Sequence, residues 1–79
     1  MIEKIFNHLS NGCNPDTTYV HRKDNTIDIV STDFSDAMLM LIVVSEVTCL
    51  YFEKGVSNIH VIADLNYNNE QNTITLKIT

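Results

Sequence analysis

Five side chains in this chain of 79 residues are of the types that bind metal ions or act as nucleophiles. They are His8, Cys13, His21, Cys49 and His60. Zinc and iron sites draw their ligands from Cys and His residues at characteristic short spacings. None of the spacings among these five residues matches such a signature, and a domain this small offers little room for a cofactor pocket. The sequence therefore predicts no metal site and no bound cofactor.

Catalysis by a nucleophile would need a Cys or Ser together with a His and an orienting acid. Cys13 lies in a predicted turn, but no catalytic motif surrounds it. Asp33 and Asp36 form a close pair of carboxylates, yet their position before an apolar segment suits helix capping better than acid–base chemistry. The chain has two glycines and no glycine-rich phosphate loop. We therefore predict no catalytic residues and a protein that is not an enzyme.

The charge balance also excludes a class of partner. Ten acidic and five basic residues give a net charge of −5. Binding to a phosphate backbone requires a basic patch, and only Arg22 and Lys23 are adjacent among the basic residues. We therefore expect no direct contact with nucleic acid. The acidic residues are scattered along the chain, which indicates either a solvated acidic surface or docking on a protein with a basic surface.

The first part of the chain predicts a short helix and a β-hairpin. Ile2, Ile5, Phe6 and Leu9 have the spacing of one helical face, which predicts a helix over residues 2–10 that Gly12 ends. Two segments rich in β-branched and aromatic residues follow, with a polar turn between them. These segments, residues 17–22 and 26–31, form the first predicted hairpin.

The last part of the chain predicts a second hairpin. Apolar and polar residues alternate over residues 58–65 and again over residues 73–79, so each strand is expected to have one buried face. The loop between them, residues 66–72, is rich in Asn. It is expected to be either a plain connection or a recognition tip with Tyr67 as its anchor.

The central segment, residues 34–54, predicts a long helix. Asp33 is one of several N-cap candidates, Lys54 suits the last turn, and Gly55 suits the C-terminal end. A length of some twenty residues exceeds that of a normal strand. The cluster of β-branched residues between positions 42 and 48 leaves two buried strands as the alternative.

These elements predict an α+β fold with the order α-β-β-α-β-β. Residues 1–79 are expected to form a single small domain. We expect a two-layer architecture in which two hairpins form a four-stranded antiparallel sheet. The long helix would cover one face of that sheet, and the short N-terminal helix would accompany it.

A helical wheel divides the long helix into two apolar faces. The predicted core face holds Phe34, Ala37, Met38, Leu41, Val44, Ser45, Thr48, Tyr51 and Phe52, with Cys49 also expected in the core. A second apolar stripe lies among polar positions, and we predict that it forms the interface of a homodimer or a partner contact. Its residues are Leu39, Val43, Val47 and Leu50. The alternative is that the helix over residues 2–10 covers this stripe.

Nothing in the sequence indicates export or membrane insertion. The N-terminal residues contain an early acid and no apolar signal region. The apolar run over residues 37–44 is too short to span a bilayer, and polar residues follow it at Ser45, Glu46 and Thr48. Both cysteines are read as reduced thiols. We therefore expect a cytoplasmic protein.

The general profile is short, acidic, rich in Asn and Ile, two-layer α+β and free of motifs. It resembles small accessory proteins of phages and mobile elements, including anti-CRISPR proteins, and this resemblance of profile carries over no individual residues. It implies a binding module that inhibits a host nucleic-acid-handling or defence complex. The contacts we predict for such a partner are Asp24, Asp28, Asp64, Tyr67 and Glu70. Two alternatives are an immunity protein or antitoxin and a small assembly subunit that forms a homo-oligomer.

Overall fold

The computed structural model describes residues 2–53 and 58–78, without the side chains of residues 52 and 53. Within these residues the predicted α+β fold and element order are confirmed. The elements are α1 (Ile2–Gly12), β1 (Thr18–Lys23), β2 (Thr26–Ser31), α2 (Phe34–Glu53), β3 (Ile59–Asp64) and β4 (Asn72–Ile78). The predictions for the side chain of Phe52 and for Lys54 and Gly55 lie outside what the structure describes.

The four strands form one antiparallel sheet in the order β1-β2-β4-β3. The β1–β2 hairpin closes at the pair Lys23–Thr26. Asp24, in the turn, has a φ of 54°, a left-handed conformation that Asp tolerates better than most residues. Each predicted hairpin is therefore present, and the second strands of the two hairpins pair at the centre of the sheet.

The long segment is a single helix, so the alternative of two strands is wrong. Asp33 caps it, because its Oδ1 accepts a hydrogen bond from the Asp36 backbone N–H at 3.1 Å. The β-branched residues inside the helix lower its intrinsic propensity only slightly. Packing of its apolar side chains on the sheet supplies the stability that propensity does not.

The core lies between the helices and one face of the sheet. Ile27 and Ile29 of β2 and three apolar residues of β4 point into it. The β4 residues are Ile74, Leu76 and Ile78. α2 packs on β2 and β4, and α1 packs on α2 and β1 through Ile5 and Leu9. The helical layer is therefore displaced towards β1.

The buried arc of α2 differs from the predicted core face. The residues that are buried are Ala37, Met40, Val44 and Val47. Met38, Ser45 and Cys49, all predicted to be in the core, are exposed. With about 100° per residue, the helix is rotated by roughly 70° from the predicted orientation. The reason is that α1 packs beside α2 and buries the flank that carries Val43 and Val47.

β3 also departs from expectation, since it lacks the buried face predicted for it. Val61 is 40% exposed, although its register partner Leu76 is 0% exposed. Ala63 is exposed beside the buried Ile74. Ile59 alone among the sheet-core positions of β3 is partly buried. The helices lie over the other three strands, so most of the inward face of β3 meets solvent.

Because β4 is buried and β3 is exposed, truncation of the paired residues Leu76 and Val61 should have unequal effects on stability. Leu76→Ala should lower the free energy of unfolding by about 2–5 kcal/mol, because it leaves a cavity in the core. Val61→Ala should lower it by less than about 1 kcal/mol, because the side chain is already partly solvated. Urea unfolding followed by circular dichroism measures both. Equal losses would mean that β3 is covered as fully as β4.

Candidate functional site

The five metal-ligating and nucleophilic side chains are not brought together. His8 lies on the exposed face of α1, and His21 and His60 lie on the two edge strands of the sheet. The thiol of Cys13 donates a hydrogen bond to the Ser10 carbonyl at 3.2 Å, and Cys49 is exposed on α2. No group of three or more His, Cys, Asp or Glu residues in the described part of the chain could hold a metal ion.

The carboxylates of Asp33 and Asp36 both have structural partners. Asp33 caps α2, as described above. The Oδ2 atom of Asp36 accepts hydrogen bonds from the Thr17 hydroxyl and, at 3.2 Å, from the Asn14 amide. These bonds join the first turn of α2 to the connection between α1 and β1. The pair therefore positions helices, and its oxygens do not converge on a common cleft.

The outer face of the sheet is a mixed polar surface that neither helix covers. The register aligns its residues in rows across the four strands, and the central row contains His21, Asp28, Thr75 and Ile62. Asp28 accepts a hydrogen bond from the Thr75 hydroxyl at 2.9 Å. A shallow depression of about 520 Å³ lies here, with Tyr19 at its wall. Its broad opening gives a ligand little enclosure.

The predicted partner contacts do not form one surface. Asp28 and Asp64 lie on the outer face of the sheet, on strands that β4 separates. Asp24 occupies the hairpin turn at the opposite end of the strands from Asp64, about 20 Å away for strands of this length. Tyr67 and Glu70 are exposed in the loop between β3 and β4. A flat partner could contact some of these residues but not all.

The loop over residues 66–72 is organised by its own amides. The side-chain oxygen of Asn72 accepts a hydrogen bond from the Asn66 N–H, and that of Asn66 accepts one from the Asn68 N–H, both at 2.9 Å. Asn72 is buried, so the loop is anchored at its end. Tyr67 is 82% exposed and makes an edge-to-face contact with Phe34, with ring centroids 6.1 Å apart. Tyr67 therefore lies at the N-terminal end of α2.

The predicted oligomer stripe on α2 is divided between core and surface. Val47 is 3% exposed and belongs to the core, and Val43 is partly buried beside Gly12 of α1. Leu39 and Leu50 are exposed, at 60% and 48%. The expectation of one exposed stripe of four residues is therefore wrong for Val43 and Val47. The short helix packs beside Val43 and leaves Leu39 and Leu50 exposed, so the alternative, in which it covers the whole stripe, is also wrong for these two residues.

A different apolar surface remains on α2, and we call it the α2 ridge. It consists of Met38, Leu39, Ile42 and Leu50, and Ile42 is 55% exposed. Leu39, Ile42 and Leu50 follow one helical stripe together with the exposed Glu46. Sequence reasoning missed Met38 and Ile42 because the wheel had the wrong orientation. It placed Met38 on the core face and Ile42 on neither apolar face. A wheel centred on Met40 and Val47 would have identified them.

The composition of α2 raises the question of a membrane. The window Phe34–Tyr51 has a mean hydropathy of 1.6 and is 22% buried, so its length and composition would allow it to cross a bilayer. Core helices of small proteins meet the same criterion. In the fold this window packs on β2 and β4 and contains the acidic residues Asp36 and Glu46. The described chain is a compact unit around this helix.

Comparisons with protein families, with curated proteins and with solved structures find no match to the chain. Two features stand out in the geometry of the described residues. They are the α2 ridge and the exposed residues of β3.

The structural role of Asp36 leads to a test. Asp36→Ala removes the acceptor of two hydrogen bonds and should lower the free energy of unfolding by about 1–2 kcal/mol. Ser35→Ala, at the preceding exposed position, is the matched control and should change it by less than about 0.5 kcal/mol. Thermal or urea unfolding measures the difference. Equal stability of the two variants would show that the Asp36 contacts contribute nothing to the fold.

Proposed function

We propose that the protein is a non-catalytic protein-binding module that docks on its partner through the α2 ridge. The observation that carries this proposal is the exposure of four large apolar side chains on one helix of a 79-residue chain. These side chains are 40–60% exposed, so covering them would gain about half of the value for complete burial, or roughly 1 kcal/mol each. Exposed apolar surface of this extent is typical of interaction sites.

The charges around the ridge define the chemistry of the partner. Glu46 lies within the ridge and Asp36 lies in the first turn of the same helix. α2 contains no Lys or Arg over residues 34–53. A complementary surface would have an apolar groove bordered by basic residues, since charged rims select partners and accelerate association. The absence of basic residues from α2 therefore supports a partner with a basic surface, as the net charge of the chain also does.

The biological role we infer is inhibition by occlusion. Nucleic-acid-handling proteins carry basic surfaces, and an acidic module that covers such a surface blocks access of the nucleic acid. The profile of the chain resembles accessory proteins of phages and mobile elements, which supports a host nucleic-acid-handling or defence complex as the target. The scattered acids Asp24, Asp28, Asp64 and Glu70, together with Tyr67, would contribute to the long-range field more than to one contact.

Substitution of the ridge tests the docking surface. Leu39→Glu/Ile42→Glu should weaken capture of the partner from a host extract by about 30-fold or more, because two apolar contacts are lost. Tyr19→Glu adds a carboxylate to an exposed position on the outer face of the sheet, on the side opposite α2, and is the control. Quantitative capture with the three proteins on beads measures the effect.

A protein retained by the wild type and by Tyr19→Glu, but lost from the ridge variant, is the expected result. Equal retention of every captured protein by all three would exclude the α2 ridge as the docking surface. Circular dichroism of each variant verifies that the fold is intact.

We also propose that the protein acts in the cytoplasm, which fits a target of this kind. Because the inward side of α2 packs on the sheet, we expect the protein to stay in the soluble fraction of lysed cells. Flotation with lipid vesicles measures membrane association directly. Extraction only by detergent would contradict this proposal, and the Leu39→Glu/Ile42→Glu variant would show whether such association uses the ridge.

A further inference from the structure

The two edges of the sheet differ in how they are protected. β1 forms one edge and carries three consecutive residues with basic side chains, His21, Arg22 and Lys23. Such residues discourage pairing with another strand. β3 forms the other edge, and its centre is the apolar sequence Val61-Ile62-Ala63. Among the described residues, β4 is the only strand that pairs with β3.

The apolar residues of β3 are exposed on both faces of the sheet. Val61 is 40% exposed on the helix side, and Ile62 is 70% exposed on the outer side. A strand whose backbone groups face solvent along one edge, with apolar side chains exposed above and below, is a template for pairing with another chain. β3 has this character at its centre, over Val61, Ile62 and Ala63.

We propose that β3 pairs with β3 of a second copy of this chain, in antiparallel orientation, to form a continuous eight-stranded sheet. Antiparallel pairing of identical edges follows a two-fold axis perpendicular to the sheet, which is the commonest symmetry of protein dimers. This axis leaves the helices of both copies on the same side of the sheet. This surface is separate from the α2 ridge, so the inference goes beyond the proposed function.

The outer face of β3 identifies the second copy as the occupant. Its side chains in order are His60, Ile62 and Asp64. This order is self-complementary when the strand is reversed. In the register centred on Ile62, each His60 lies opposite Asp64 of the other copy and the two Ile62 side chains meet at the axis. The imidazole supplies an N–H donor in either protonation state, and the carboxylate accepts it.

The helix side of the strand agrees with the same register. Val61 of each copy lies opposite the small Ala63 of the other, so both exposed apolar positions gain a neighbour. A register centred on Val61 would instead place His60 opposite Ile62, which pairs a polar group with an apolar one. Registers of sheets follow such cross-strand matches. The geometry therefore selects one register.

The mass in solution tests the dimer. A six-residue edge gives a small interface, so the wild type should pass from monomer to dimer between about 1 µM and 1 mM. Ile62→Lys places two like charges at the axis and should remain a monomer throughout this range. Tyr19→Lys adds the same charge to the outer face of β1, the edge strand farthest from β3, and should leave the dimer intact. A monomeric wild type at every concentration would overturn the proposal.

Cysteine cross-linking tests the register. In a Cys49→Ser background, Ile62→Cys should form a disulfide-linked dimer readily, because the two residues are directly opposite. Val61→Cys should not, because the proposed register offsets the two copies of residue 61. Efficient cross-linking of Val61→Cys with none at Ile62→Cys would contradict the register centred on Ile62.

Substitution of His60 and Asp64, singly and together, distinguishes loss of the dimer contact from loss of folding. His60→Glu alone places a carboxylate opposite Asp64 of the other copy, and Asp64→Lys alone places an ammonium opposite His60. Each should raise the dimer Kd by about 10-fold. The double variant should recover the wild-type Kd. Additive weakening in the double variant would show that these side chains do not meet. Failure of the ridge variants to alter partner capture leaves this result unaffected, so the two proposals are tested separately.

Discussion

One helix is too narrow to cover a four-stranded sheet, and this mismatch determines the architecture of the protein. A helix with its side chains is about 10 Å in diameter, and the outer strands of a four-stranded sheet are about 14 Å apart. α2 packs on the two central strands, β2 and β4, through Met40, Val44 and Val47. A second helix is needed to extend the layer, and α1 extends it towards β1. The inward face of β3 is consequently left in solvent.

The same constraint explains which parts of the fold the sequence predicts. The alternation of apolar and polar residues within a strand identifies β2 and β4 correctly, because both strands have one covered face. The N-cap at Asp33 is also predictable, because it depends only on residues next to it in the sequence. The orientation of α2 is not local. Apolar residues occupy most of the circumference of α2, so the spacing of its apolar residues does not predict which side of the helix is buried. The position of α1 decides that Val47 is buried and Met38 is exposed, and this position is a tertiary result.

The candidate site was harder to predict for a related reason. Acidic side chains attract attention in a chain of net charge −5, but Asp24, Asp28 and Asp64 sit on separate parts of the sheet. Their charges sum to a general field without defining a contact. Val61 illustrates the opposite error, since its alternation with polar neighbours indicates burial that the helical layer does not provide. Exposed apolar residues at unexpected positions are more informative than the charges.

The two proposed surfaces reinforce one another geometrically. A two-fold axis perpendicular to the sheet would place both α2 helices on one side, about 20 Å apart, because three strand spacings and the two helix offsets separate them. Both α2 ridges would then face the same direction. A partner with two copies of the basic, apolar groove would engage both ridges, and the second contact would form at a high effective concentration. Two weak contacts, one from each α2 ridge, would then give tight binding of the dimer to its partner. The unpaired edge of β3 would make this possible, because it is the edge through which the dimer forms.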